Sequence, residues 1–204
     1  MLFELKKNRE ADKKSRDAHF FSEIQRLVRE VHGFDAIAVS IGPGMFTSLR
    51  VGLSLAKGFA IARGTPVVAV NTLDVIGIPL GFVNHHVLAV INAYHDEIYA
   101  ALYSNGERLS DYLLTTPEKI GDLIHGTTYI VGSGVSVIKE GRTAFKRSEV
   151  IFVDDTFLLP DASKTVALAL PRIEDGRFDD PERLEPFYIK KTDAEKHYDT
   201  THQV

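Results

Sequence analysis

The chain has 204 residues, 44% hydrophobic and 25% charged, a composition typical of one large globular domain or two small lobes. Its formal net charge of -4 argues against a protein that grips nucleic acid with its whole surface, although a local basic patch is compatible with it. Because cysteine is absent, disulfides, thiolate catalysis and cysteine-ligated zinc are excluded. The amino-terminal residues lack the apolar segment of a signal peptide, so we expect a soluble, cytoplasmic protein without a membrane partner.

The first predicted elements are a short strand, a charged segment and an amphipathic helix. Residues 2–5 alternate weakly between apolar and polar side chains, as a strand does. The following segment, Lys6 to Arg16, has six basic and two acidic residues and is either a solvated loop or a contact for a partner or RNA. Asp17 is a candidate N-cap for a helix over residues 18–31. The apolar residues of this helix recur at helical spacing: Phe20, Phe21, Ile24, Leu27, Val28 and Val31.

The next segment alternates strands and helices. Residues 34–41 form an apolar run of strand length, followed by a glycine turn from Gly42 to Gly44. Thr47 is a candidate cap for a helix that runs to Arg63, and Gly64 is expected to stop it. Residues 65–70 form the next strand. This order of strands and helices predicts parallel neighbouring strands joined by helical crossovers.

The pattern of residues changes after residue 77, which predicts a boundary between two lobes, residues 1–80 and 81–204. Two apolar runs and a tight turn at Asn105-Gly106 predict three antiparallel strands in the second lobe. Thr116 and Pro117 open a helix, residues 128–134 and 149–155 read as strands, and a helix over residues 161–173 is expected to end near Pro171.

The glycine turn has two interpretations. Backbone N–H groups at a helix N-terminus can bind phosphate, and the turn precedes a helix. However, Pro43 lacks an N–H, and neither the lysine of a phosphate-binding loop nor the third glycine of a dinucleotide fingerprint is present. A tight structural turn made by Gly42, Pro43 and Gly44 and followed by Thr47 is the favoured interpretation.

No catalytic, metal-binding or cofactor-binding set can be assembled from the sequence. None of the eight histidines has a second histidine four residues away, and His85 and His86 would point to opposite sides of a strand. Ser133 lies outside the frame of a hydrolase nucleophile turn. We therefore expect no cofactor and no active site.

The strongest signal is the helix over residues 47–63. Its apolar and small residues cover an arc of roughly 200°, whereas a helix that covers one sheet face needs about 100°. Two rows stand out, namely Gly52, Ala56 and Ala60, which form a flat ridge, and Val51, Leu55 and Phe59, which are bulkier. One row can pack on the helix's own sheet and the other on a second helix, from residues 18–31 or from another chain.

The glycine turn and the helix after it resemble those of a known family. The segment "GPGMFTSLRVGLSLAKGFA" is similar to the signature of the TsaB (YeaZ) family. Four further segments resemble the family in the same order: "DAHFFSEIQRLV", "VINAYHDEIYAALYSNGERL", "IVGSGV" and "EPFYIKKTDAE". Together they cover nearly the whole chain.

The resemblance implies a duplicated RNase H-like fold of the actin-like ATPase superfamily. It implies a noncatalytic scaffold that the TsaD catalytic subunit needs to transfer threonylcarbamoyl to the tRNA adenosine next to the anticodon, with a TsaE-like ATPase joining later. It also implies a homodimer when the protein is alone and tRNA contact only through the complex. The expected interface lies on the first two helices and comprises Phe20, Ile24, Leu27, Met45, Leu49, Val51, Gly52, Leu55, Ala56, Phe59 and Ala60.

The chain departs from the family pattern in two respects. Its first residue falls where the family's third strand stands, so the N-terminal lobe is expected to lack its first two strands. Met45 and Ser48 replace the usual Ser and Gly, and Met45 is a flexible apolar residue suited to an interface. The alternatives to a scaffold are an enzyme, either a metal-dependent glycoprotease or an ATP-dependent enzyme of the same superfamily, and a homologue with an unrelated binding role.

Overall fold

A computed structural model describes residues 13–31, 33–141, 145, 150–153 and 159–190, with side chains described from residue 21 onward. The first elements in chain order are α1 (Lys13–Glu30), β1 (Ile37–Gly42), α2 (Phe46–Arg63), β2 (Val67–Asn71), α3 (Thr72–Gly77) and a 3₁₀ turn (Ile78–Leu80). They are followed by β3 (His86–Tyr94), β4 (Glu97–Ser104), β5 (Glu107–Arg108), β6 (Leu113–Thr115), a 3₁₀ helix (Pro117–Leu123), β7 (Thr128–Val131), α4 (Val135–Glu140), β8 (Val150–Val153) and α5 (Ala162–Glu174). The predicted strand over residues 2–5 and the basic segment Lys6 to Asp12 lie outside the described residues.

A small sheet pairs β1 with β2 in parallel, from Ile37 opposite Val67 to Gly42 opposite Asn71, which confirms the predicted parallel neighbours. Helix α2 is the crossover between them and packs on both strands. The outer edge of β2 is closed by Asp179, whose N–H donates to the Val67 carbonyl and whose carboxylate accepts from the Ala69 N–H at 2.7 Å. Arg172 of α5 donates to the Ala69 carbonyl and to that carboxylate, so the exposed backbone of an edge strand is covered.

A larger sheet has the strand order β5-β4-β3-β7-β8, with β6 also paired to β4. Strands β3, β4 and β5 are antiparallel, as the sequence predicts, whereas β3, β7 and β8 run parallel. Alternate residues of β3 and β4 point to opposite faces, so two cores form, one under α3 and one around α4 and the 3₁₀ helix.

Helix α3 fastens the small sheet to the larger one. It follows β2 directly, its N-cap Asn71 accepts from the Leu73 N–H at 2.9 Å, and Leu73 and Ile76 are buried against the larger sheet. At Gly77 an added Cβ would lie 2.3 Å from the Tyr103 ring, so only glycine allows this close packing. Residues on both sides of the predicted boundary therefore share one core.

Several predicted helix ends are wrong. Helix α1 begins at Lys13, so Asp17 lies inside it, because no helix breaker separates the two positions. Helix α2 is capped by Met45, whose carbonyl accepts from the Leu49 N–H, and Thr47 is already helical. Pro171 lies inside α5. Proline has no N–H to donate to the preceding turn, but its carbonyl still accepts a hydrogen bond from the Asp175 N–H, so the helix continues past it. The stop at Gly64 is confirmed by its left-handed φ of 64° and its bond to the Ala60 carbonyl.

The mixed α/β class is confirmed. The duplicated RNase H-like architecture, the missing strands and the division at residue 80 stay predictions.

Candidate docking surface

Helix α2 turns one narrow face toward its own chain. Leu53, Ala56 and Ala60 are 3%, 8% and 2% exposed, and they lie on the side of the helix that packs on β1 and β2. Small residues at Ala56 and Ala60 let the helix lie close to the strands. The side of α2 opposite this face is left to solvent.

The outer face of α2 is defined here as Val51, Ser54, Gly58, Ile61 and Ala62, all of them exposed. From Val51 to Ser54, on to Gly58, and then to Ile61 or Ala62, each step is three or four residues. These residues therefore form one stripe along the helix. Val51 is 39% and Ile61 56% exposed, and no exposed residue from Val51 to Ala62 is charged, while the exposed Arg50 lies one turn before Ser54 at the end of the stripe. A solvated helix face normally carries charged side chains, so this stripe has the composition of a surface that another protein covers.

Two glycines of α2 are not explained by contacts with the described part of the chain. Apart from the backbone of its own helix turn, a Cβ added at Gly52 or Gly58 would meet no described atom within 4 Å, and neither glycine has a positive φ. Glycine inside a helix costs about 1 kcal/mol relative to alanine. Gly58 lies in the middle of the outer face, where the absence of a side chain lets another backbone approach closely.

The structure divides the predicted interface residues into groups. Met45 (53% exposed) and Val51 lie at the surface, and the side chain of Phe20 is outside the described part. Ile24, Leu27, Leu49, Gly52, Leu55 and Phe59 are half-buried. The prediction that Ala56 and Ala60 contact a partner is corrected by the structure, because both residues face their own sheet and have almost no surface left for a partner.

Ser54, Gly58, Ile61 and Ala62 are not among the residues predicted from the sequence. Ser54, Gly58 and Ala62 have the same spacing of four residues as Gly52, Ala56 and Ala60. Both ridges therefore produce the same signal, and only contact with β1 and β2 shows which of them is covered by the chain itself.

The glycine turn before α2 is filled by the chain itself. Gly42 has a φ of 111°, and an added Cβ would lie 3.0 Å from the Phe187 carbonyl oxygen and 2.9 Å from Leu49 Cδ1. The Phe187 N–H donates to the Ile41 carbonyl at 2.8 Å. These contacts support a structural turn that directs α2, as the sequence favours, over a phosphate site.

The segment that fills this turn is a strap, residues 182–190, which crosses from the small sheet to the larger one. Lys57 of α2 donates to the carbonyls of Glu182 and Leu184 at 3.2 and 2.9 Å. At the other end, Lys190 pairs with Glu97 of β4 at 2.5 Å. The strap therefore fixes the position of α2 relative to the larger sheet.

A half-buried acid joins the same two parts of the fold. Asp74 of α3 accepts from the Tyr103 hydroxyl at 2.8 Å and from the Tyr112 hydroxyl at 2.6 Å. Burial, and then the adjacent Asp74 carboxylate, raises the pKa of Tyr103. Burial and the hydrogen bond to Asp74 raise the pKa of Tyr112 in the same way.

We expect these two tyrosines to make the fold alkali-sensitive. Their folded-state pKa lies above the unfolded value of about 10, so above that pH the unfolded chain releases protons that the folded chain retains. The contribution of these two tyrosines to stability should be constant below pH 10 and fall above it, by at most about 1.4 kcal/mol per pH unit for each group and by less for Tyr112, which is only half-buried. Urea unfolding between about pH 8 and pH 11 measures the slope. The variant with Tyr103→Phe and Tyr112→Phe should show a flatter profile, and an unchanged slope would contradict the assignment.

Within the described part of the chain, no three His, Cys, Asp or Glu side chains group so that they could hold a metal ion. No described helix is long and apolar enough to cross a membrane. What the structure shows is a mixed α/β protein whose most distinctive surface is an uncharged helix face beside a glycine turn.

Comparison with known proteins shows which family this chain belongs to. Residues 24–196 match the family described as "TsaD: tRNA N6-adenosine threonylcarbamoyltransferase", which is most of the chain. The chain therefore belongs to the TsaD/YeaZ (TsaB) family, and the resemblance noted in the sequence is confirmed.

Individual relatives agree with this assignment. The "tRNA threonylcarbamoyladenosine biosynthesis protein TsaB" of Escherichia coli is 29% identical over 174 residues, covering 79% of this chain and 73% of that protein. An uncharacterized protein of Mycobacterium leprae is 37% identical over 86 residues, but the chain spans only 23% of its length. Among solved structures, YeaZ from Pseudomonas aeruginosa superposes with a TM-score of 0.70 at 25% identity, covering 88% of this chain and 87% of that one.

Proposed function

We propose that this protein is a noncatalytic partner subunit of a TsaD-type tRNA N6-adenosine threonylcarbamoyltransferase. It docks the catalytic subunit through the outer face of α2, and Ile24 and Leu27 of α1, which are half-buried, are proposed as further contacts. A TsaE-like ATPase binds the assembled pair, and tRNA is reached only through the complex. The family match and the similarity to the E. coli tRNA threonylcarbamoyladenosine biosynthesis protein support the pathway.

The observation that carries the proposal is the uncharged outer face of α2. A helix that needs only its own sheet has polar residues opposite the buried ones. Here the exposed positions from Val51 to Ala62 are apolar or small instead, and Gly58 contributes a gap that no part of the described chain fills. A packed helix from another molecule would bury Val51 and Ile61 and occupy that gap.

A second copy of the chain could use the same surface. Identical helices related by a twofold axis can pack outer face to outer face, which would give the homodimer expected for the protein alone. The catalytic subunit would then replace one copy, because both compete for one stripe of residues.

The test is size exclusion with light scattering on the full chain, on the TsaD-type transferase of the same organism, and on their mixture. We expect a homodimer of the chain alone and a one-to-one complex in the mixture, with loss of the homodimer peak. Separate elution of two folded proteins would contradict the proposal. Stoichiometric bound metal, or tight ATP binding by the chain alone in calorimetry, would support the enzyme alternative instead.

A further inference from the structure

A cleft of about 500 Å³ lies between α2 and the strap. The helix contributes Arg50, Ser54 and Lys57 to its walls, and the strap contributes Glu185, Pro186 and Tyr188. Ser54 also belongs to the outer face of α2, and Arg50 lies one turn before it. The cleft therefore opens at the margin of the proposed docking surface.

Two cations face this cleft without a carboxylate partner. The Lys57 ammonium donates to two strap carbonyls, which are neutral, and the Arg50 Nε donates to the Tyr188 hydroxyl at 3.0 Å. Among the described residues, neither cation has an acidic oxygen within 4.0 Å, although Glu185 lines the same cleft. The two cations and one acid leave the cleft with a net positive charge.

The Arg50 guanidinium is held in place by aromatic rings. Its Cζ atom lies 3.8 Å from the centre of the Phe46 ring, and that ring stacks on Tyr188 at 4.8 Å between centroids. Because only Nε is engaged within the described part of the chain, the two terminal amino groups remain able to donate. An arginine positioned in this way presents a planar pair of donors that matches the two oxygens of a carboxylate.

We propose that this cleft receives an aspartate or glutamate side chain of the docked protein, which pairs with Arg50 while Lys57 adds a second positive charge behind it. The proposal rests on the proposed function and names the chemistry of one partner contact. A helix packed along the outer face of α2 would pass over the mouth of the cleft at Ser54. A carboxylate is favoured over an RNA backbone because RNA binding needs several phosphate contacts, whereas this cleft offers two cations and also contains Glu185.

The experiment measures, by calorimetry, the affinity of the full chain for the TsaD-type transferase, with wild type, Arg50→Glu, Arg50→Lys and Tyr188→Phe. We expect Arg50→Glu to weaken binding at least about tenfold, because the new carboxylate would lie beside the carboxylate of the docked protein. Arg50→Lys should retain part of the affinity. Tyr188→Phe keeps the ring but removes the hydroxyl that holds Arg50, and it should change affinity by less than about threefold. Thermal unfolding of each variant shows whether the fold is intact.

A charge-swap rescue experiment identifies which carboxylate of the transferase pairs with Arg50. Acidic surface residues of the transferase are changed to lysine one at a time, and each variant is titrated against both Arg50→Glu and wild type. One of these variants should restore binding to Arg50→Glu while weakening binding to wild type. If no acidic residue is coupled to Arg50, or if Arg50→Glu binds the transferase normally and loses only tRNA retention, the inference is wrong and the docking proposal still stands. If wild type does not bind the transferase at all, both are wrong.

Discussion

Gly58→Arg is expected to abolish binding of the TsaD-type transferase while leaving the protein folded. Gly58 is exposed in the middle of the outer face of α2, and a Cβ there meets no atom of the described chain within 4 Å. Arginine is a good helix former, so the isolated chain should be as stable as wild type or slightly more stable. In the complex, however, the long charged side chain would occupy the space where the partner's backbone approaches. We expect an affinity loss of about 100-fold or more in calorimetry.

The control for Gly58→Arg is Ala167→Arg, which adds the same charge at an exposed position of α5. It should leave affinity unchanged. Gly58→Ala provides a graded step, because it should raise stability by up to about 1 kcal/mol and still weaken binding. If Gly58→Arg binds as tightly as wild type, the outer face of α2 is not the docking surface.

Ala56→Arg is expected to unfold the isolated chain. Ala56 is 8% exposed and lies where α2 rests on the small sheet, so arginine would have to bury its charge there or push the helix away. We expect a loss of more than about 4 kcal/mol, a large part of the stability of an ordinary domain. Urea unfolding followed by circular dichroism measures the loss.

Ala62→Arg is the matched control, with the same substitution on the same helix but at an exposed position. Its stability should remain within about 0.5 kcal/mol of wild type. A folded Ala56→Arg protein would mean that the Gly52, Ala56 and Ala60 ridge faces outward, contrary to the structure.

Local patterns predicted most elements correctly, because the periods of strand and helix are properties of neighbouring residues. The parallel pair β1 and β2, the antiparallel meander β3 to β5 and the stop at Gly64 all follow from such patterns. The short helices α3 and α4 were not predicted. Each has only six residues, too few for a helical period to show.

Tertiary contacts account for the features that local patterns cannot give. The edge of β2 is closed by Asp179, which lies 110 residues from the Ala69 N–H it binds, and Asp74 meets Tyr112 across 38 residues. The strap and its cleft depend on Lys57 reaching carbonyls more than a hundred residues away. No pattern within a window of sequence encodes these pairs.

The sequence by itself determined that α2 has more apolar surface than one neighbour can cover, since that property depends only on composition and helical period. Which part of that surface stays open was decided by the fold. Two ridges of small residues run along α2 with the same spacing, and the way the turn at Gly42 and the strap direct the helix places Ala56 and Ala60 on the sheet and leaves Ser54, Gly58 and Ala62 outside. The rotation of a helix about its axis is fixed by the elements it packs against, and those elements come from distant parts of the chain.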